Sequence, residues 1–282
     1  MTGDAWRVTL RLSPLVTRHA PLAPRHLLSI AHLYPHAPLI LGHRGASAYA
    51  PENTLAAFRR ALELGADGFE LDVTLSADGV PVVIHDDTLD RTTDGSGPVA
   101  NLTLAQLKQL QAGFRARFGT EFAGERIPTL EEVFAELGQR ALINVELKQD
   151  PSPGRRLAEQ VVALIHAHPV GRRVLLSSFY YDNLQRVRQA DPALPVGLLY
   201  DPTGPGRILQ AWLRPGVRAE AHHPYYRLVG ALTLRWYRRR GYRVNVWTVN
   251  AEADLRRLMR LGVDGLITDR PDVAVRLREE AM

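Results

Sequence analysis

The stretch Gly68-Phe69-Glu70-Leu71-Asp72-Val73-Thr74-Leu75-Ser76-Ala77-Asp78-Gly79-Val80-Pro81-Val82-Val83-Ile84-His85 decides the fold. Side chains along a strand alternate, so Phe69, Leu71 and Val73 share one face while Glu70 and Asp72 share the other. Two carboxylates on one strand face repel and resist burial unless a cation compensates them. Asp78-Gly79 is a favoured hairpin turn, and the link is far too short for a parallel crossover. Val80–His85 is therefore predicted as a hairpin arm folding back on Gly68–Thr74, which brings His85 near Asp72.

Outward from this stretch the chain alternates short apolar runs with helical segments, the pattern of parallel strands joined by crossover helices. Predicted strands are Leu39–Gly42, Gly68–Thr74, Leu142–Leu147, Val174–Ser178, Val196–Tyr200, Val217–Ala221, Arg243–Thr248 and Gly265–Thr268. Helices are predicted at Asn53–Leu64, Arg155–His168, Tyr181–Gln189 and Ala251–Leu261. Eight strands after residue 38 match a (β/α)8 TIM barrel, typically about 250 residues. A doubly wound open sheet is the rival, but no glycine-rich phosphate loop follows the first strand. Residues 39–282 are thus read as one α/β barrel with a hairpin arm after its second strand. An insertion over about 87–128 carries the turn-rich run Thr92–Pro98 and a predicted helix at Leu104–Gln111. Residues 1–38, with several prolines (Pro14, Pro21, Pro24 and Pro35 among them) and no clear period, are read as an N-terminal extension.

Composition narrows the chemistry. The chain of 282 residues is 45% hydrophobic and 23% charged, the balance of a globular protein. It has no cysteine, which excludes disulfides, thiolate metal sites and cysteine nucleophiles. No apolar run approaches the roughly 18 residues needed to span a membrane. Asp4, Arg7, Arg11 and Arg18 break up any signal-peptide pattern, so a cytoplasmic location and no stable membrane insertion are expected. The net charge is +5, and the only lysines are Lys108 and Lys148. The densest basic run, Arg235–Arg240, falls in a predicted amphipathic helix, Val229–Arg240, that stops at Gly241. We read its arginines as a solvated face and expect no nucleic-acid partner.

In a barrel, the C-terminal ends of strands line the active site. Glu70 and Asp72 on one strand, with Glu146 on the next, can converge there as an all-oxygen site suited to Mg2+, Ca2+ or Mn2+. His43 follows the first strand and His85 ends the hairpin arm, and two histidines beside three acids suit general acid–base work. Arg44 offers a forked donor matched to phosphate oxygens, and Lys148 shares a strand face with Glu146. Trp247 ends a strand and suits either a substrate wall or a core position. His222 and His223 follow another strand with no partner in sequence, and Asn53 is positioned to cap a helix.

Taken together, His43-Arg44-Gly45-Ala46, Ala50-Pro51-Glu52-Asn53-Thr54, Glu70-Leu71-Asp72-Val73, Pro81–Asp86, Asn144–Lys148 and Asn245–Asn250 resemble the glycerophosphodiester phosphodiesterases. The resemblance runs from about Leu39 to Pro271. It implies hydrolysis of glycerophosphodiesters to sn-glycerol 3-phosphate and an alcohol, with one divalent cation, Mg2+ or Ca2+, and Mn2+ as a further candidate. By the same resemblance Glu70, Asp72 and Glu146 hold the metal, and His43 and His85 are the acid and base. The insertion falls where the family places a small cap over the barrel mouth. The substrate is then a small molecule, bound by Arg44, Lys148 and Trp247. The division of acid and base roles, and the choice of water or the substrate 2-hydroxyl as attacker, stay open at this point. One rival is a related phospholipase, which would want an apolar rim where the insertion reads as polar. The other is a non-catalytic anion-binding protein, which would not need two histidines beside three acids.

Overall fold

The structure, a computed structural model, describes residues 30–148, 156–201 and 218–281. Its strands are β1 (Leu39–Gly42), β2 (Gly68–Leu75), β3 (Pro81–Val83), β4 (Leu142–Leu147), β5 (Val174–Ser178), β6 (Val196–Tyr200), β7 (Ala221–Pro224), β8 (Arg243–Val246) and β9 (Gly265–Thr268). The described α-helices are α1 (Leu55–Glu63), α2 (Leu104–Leu107), α3 (Arg115–Phe118), α4 (Leu130–Leu137), α5 (Leu157–Ala167), α6 (Tyr181–Ala190), α7 (Ala231–Arg239), α8 (Glu252–Leu261) and α9 (Pro271–Glu280). Strand β1 pairs in parallel with both β2 and β9, which closes the parallel strands into a (β/α)8 barrel. Strand β3 stands outside the ring and pairs antiparallel with β2, with Val83 opposite Val73. Gly79, at φ 81, makes the turn between them in a conformation that L side chains avoid.

Alternation on β2 does what the sequence implies. Phe69, Leu71 and Val73 are buried with Ile143, Val145 and Leu147 of β4 in the large core beneath the helices. Glu70 and Asp72 point the other way, and the register sets Asp72 opposite Glu146. The barrel's N-terminal end is filled by Leu39, Leu41, Leu142, Leu175, Ala221 and Ile267. Ile30, Leu33 and Tyr34, buried in the same cluster, close this floor from the segment before β1. With the lower half packed by apolar side chains, polar groups gather at the C-terminal mouth.

The structure corrects several boundaries. Strand β7 begins at Ala221, where a strand over Val217–Ala221 is predicted; Val217 lies outside the described residues. The apolar pattern misplaces it because the true strand carries His222 and His223, polar residues buried on opposite faces. Helix α2 is one turn rather than Leu104–Gln111, because Gln111 and Ala112 turn their backbones to Asp94 and Glu125. Thr54, not Asn53, caps α1, its hydroxyl accepting from the Ala57 N–H at 3.2 Å. The insertion has its own small core, Leu89, Val99, Leu107, Ala112 and Ile127, against Val82 and Ile84 of the hairpin arm. It is not uniformly polar, since half-buried Phe114, Phe118 and Phe122 meet edge to face.

Candidate active site

Seven of the predicted residues line one cavity of about 60 Å³ at the mouth: His43, Arg44, Glu70, His85, Glu146, Lys148 and Trp247. The eighth, Asp72, is buried and joins the group through Lys148, at 3.3 Å, and Arg44 Nε, at 3.3 Å. Glu70, Asp72 and Glu146 each offer a carboxylate oxygen within 4.8 Å of the others. Lys148 Nζ also donates to Glu146 at 3.0 Å. A larger cavity at the barrel floor, lined by His32, His36, Asp67, Arg172 and Arg173 among others, has no such carboxylate group.

The two histidines are anchored alike. The His43 Nδ1 lies 2.7 Å from Asp269, and the His85 Nδ1 lies 2.7 Å from Asp86. Each contact reserves Nδ1 for the carboxylate and leaves Nε2 for the cavity that both rings line. Asp269 also accepts from Ser47 and from Asn250. Two residues beside the site hold left-handed backbones without being glycine, Arg44 at φ 53 and Asn53 at φ 58. Such strain persists only where the surroundings impose it. Here the Arg44 N–H donates to Glu70 at 3.0 Å, and the Asn53 side chain both donates to Asp72 and accepts from the Asp72 N–H.

The electrostatics reflect crowding of acids in a dry place. Burial, then the charges of Asp72 and Glu146, push Glu70 well above the usual carboxylate range. Burial, then Asp72, brings Glu146 up to about 7. Asp72 is the exception: burial works against its charge, but Lys148, Arg44 and His85 outweigh it and hold its pKa low. Burial, with help from Arg44 and Lys148, lowers His85 despite the opposing pull of Asp72. The three acids face two nearby cations, and Arg44 gives part of its charge to Glu52 at 2.7 Å. This acid excess, with oxygen donors only, fits a hard divalent cation.

Several participants escape the sequence reading. Asp86 and Asp269 orient the histidines; Asp86 directly follows His85, and Asp269 directly follows the last strand, so the strand-end argument could have found both. Glu52 and Arg91 extend the Arg44 network. Asn144, one step below Glu146 on the same strand face, lines the cavity with neither amide atom bonded to protein. Trp247 forms a wall, its Nε1 donating to the His223 carbonyl at 2.7 Å and its ring edge-on to Phe179. His223 sits in the barrel interior against Asn245, while His222 packs among Tyr200, Tyr237 and Tyr242, and neither lines the cavity.

The fold and this site define a TIM-barrel hydrolase with its polar centre at the C-terminal mouth. Residues 43–273 match the glycerophosphoryl diester phosphodiesterase family. A glycerophosphodiester phosphodiesterase of Caldanaerobacter subterraneus subsp. tengcongensis is 42% identical over 242 residues, covering 85% of this chain and 97% of that protein. One from Bacillus subtilis is 34% identical over 276 residues, covering 93% and 92%. The solved structure of an Oleispira antarctica phosphodiesterase, in complex with the product sn-glycerol-3-phosphate, superposes with a TM-score of 0.74 at 32% identity, covering 88% of this chain and 99% of that one. The chain belongs to the glycerophosphoryl diester phosphodiesterase family. It is an enzyme, a phosphoric diester hydrolase of the glycerophosphodiester class.

Proposed function

We propose that this enzyme cleaves glycerophosphodiesters to sn-glycerol 3-phosphate and an alcohol, with one divalent cation held by Glu70, Asp72 and Glu146 and with His43 and His85 as the acid–base pair. The observation that carries this reading is the carboxylate group within 4.8 Å, sharing its cavity with two carboxylate-anchored histidines. Mg2+ or Ca2+ suits the oxygen donors, and Mn2+ is a further candidate. When bound, the cation supplies Lewis-acid polarisation of the phosphoryl group. Arg44 and Lys148 sit beside the carboxylates and offer donors to phosphate oxygens. One Nε2 takes the proton of the attacking hydroxyl, and the other gives a proton to the departing alkoxide. Trp247 and Phe179 present an apolar wall for the glycerol carbons. Residues 39–282 form the catalytic domain in this reading, with residues 87–128 beside its mouth.

The test is turnover of glycerophosphocholine, glycerophosphoethanolamine and bis(p-nitrophenyl) phosphate, with chelator and with added Mg2+, Ca2+ or Mn2+. Hydrolysis restored by a divalent cation, with sn-glycerol 3-phosphate as product, is expected. The cation should also raise the melting temperature, since a ligand at 100 times its Kd stabilises the fold by about 2.7 kcal/mol. Metal-independent hydrolysis would overturn the metal assignment.

A further inference from the structure

One side chain of the insertion reaches both halves of the site. Arg91 donates from Nη1 and Nη2 to the two oxygens of Glu52, each at 2.7 Å. It also donates from Nε and Nη2 to the two oxygens of Asp86, at 2.6 and 3.0 Å. Each carboxylate in turn holds one cavity residue. Glu52 Oε1 also accepts from Arg44 Nη1 at 2.7 Å, and Asp86 Oδ1 is the atom beside His85 Nδ1. A guanidinium is planar and rigid, so four hydrogen bonds to two carboxylates fix the separation between them. The Phe114 ring lies 5.6 Å from the Arg91 guanidinium, so the insertion covers the fork as well as supplying it.

We propose that Arg91 is a positioning residue of the reaction: through Glu52 and Asp86 it sets the placement of Arg44 relative to the His85 ring. The proposal rests on the roles given above to Arg44 and His85. Lysine cannot replace the fork, because a single ammonium cannot meet four carboxylate oxygens in one plane. Displacing reacting groups by about 1 Å costs on the order of 10²-fold in rate, which sets the scale of the expected effect.

The experiment compares Arg91→Ala and Arg91→Lys with the parent on glycerophosphocholine, in saturating Mg2+ or Ca2+. Arg91→Ala should lose roughly 10- to 100-fold in kcat, with melting temperature and divalent-cation affinity close to parent. Added guanidinium should restore part of that rate, and Arg91→Lys should fall between the two. Added to His85→Ala, the Arg91→Ala change should cost much less than it does alone, because part of its effect passes through that ring. Parental kcat in Arg91→Ala would overturn the proposal. So would a rate loss that tracks a falling melting temperature and does not respond to guanidinium. If Arg91→Ala fails to fold, Arg91→Lys decides alone: parental kcat with parental stability overturns the proposal, and a kcat loss supports it. His85→Ala and Arg44→Ala at parental rates would instead sink the reading of the site itself, and this proposal with it.

Discussion

Replacing Glu146 by Gln keeps the shape of the side chain and removes a charge that the cavity holds at a cost. Glu70 and Glu146 are both pushed up by burial and by neighbouring acids, so their ionised forms wait for a compensating cation. Glu70→Gln, Asp72→Asn and Glu146→Gln should each weaken divalent-cation binding at least tenfold and abolish turnover. Titration calorimetry showing parental affinity in all three would mean the cation binds elsewhere. The histidines separate by leaving group. General acid help matters most for an alkoxide and little for p-nitrophenolate, which leaves readily. The acid variant, either His43→Ala or His85→Ala, should lose about 10²–10⁴-fold on glycerophosphocholine but far less on bis(p-nitrophenyl) phosphate. The base variant should lose heavily on both. Parental rates for both variants on glycerophosphocholine would remove the acid–base assignment.

At the scale of the element, β2 and its partners explain why some of this was readable and some was not. Gly68–His85 is legible because period 2 sorts its acids from its apolar residues and Asp78-Gly79 marks the turn; the observed pairing of Val73 with Val83 follows. Strand β7 is less legible because a barrel interior can bury polar side chains that a periodicity argument assigns to solvent. His223 and Asn245 are such a pair, 3.0 Å apart inside the ring. The Arg91 contact with Glu52 is illegible for a different reason, since it spans 39 positions along a path that no local pattern sets. Gly68 marks a further constraint that the pattern does not show. A Cβ there would lie 1.8 Å from the Leu142 carbonyl oxygen, so no side chain fits between β2 and β4 in this register. Gly68→Ala must force the two strands apart just below Glu70 and Asn144. It should destabilise the fold by about 3 kcal/mol or more, read by urea denaturation, and weaken cation binding. A loss below about 1 kcal/mol would show that the strands slide to make room.

Across the whole molecule, among the described residues no helix is long and apolar enough to cross a membrane. Part of the arginine charge is engaged with the protein's own acids, as in Arg188 with Glu220, Arg278 with Asp67 and Arg256 with Glu252 and Glu280. The Arg235–Arg240 run lies at α7, which buries Leu234 and Tyr237 and sets Arg240 3.9 Å from the centre of the Trp236 ring. Buried histidines tie the stability of the fold to pH. Burial lowers His222 to about 4, and burial with the neighbouring His222 lowers His223 to about 3, both from 6.5. In the unfolded chain these rings take a proton near pH 6.5, whereas in the fold they stay neutral. Between pH 6.5 and 4 the unfolded chain therefore binds more protons, and their contribution to stability falls as pH falls. Glu146 acts in the opposite sense, since its folded value of about 7 lets the native state take a proton first. Asp269 and Asp86, both lowered to about 2, withdraw their contribution only at still lower pH.

A single substitution isolates the histidine effect from these others. The His222 ring packs 4.4 Å from Tyr242 and 5.1 Å from Tyr237, and its Nδ1 has no hydrogen-bond partner. Phenylalanine matches the planar shape and asks for no partner, so His222→Phe should be close to neutral at pH 7.5. Because the variant keeps Glu146 and the aspartates, subtracting the two stability curves cancels their common titration. Relative to parent, His222→Phe should gain stability steadily as pH drops from 6.5 towards 4. A shift from 6.5 to about 4 sets the limit of that gain at about 3 kcal/mol. Urea denaturation of both proteins at pH 7.5, 6.0 and 4.5 measures it. A difference that stays flat across that range would mean that His222 finds a proton as readily in the fold as outside it, and that the aromatic cage around it is open to water.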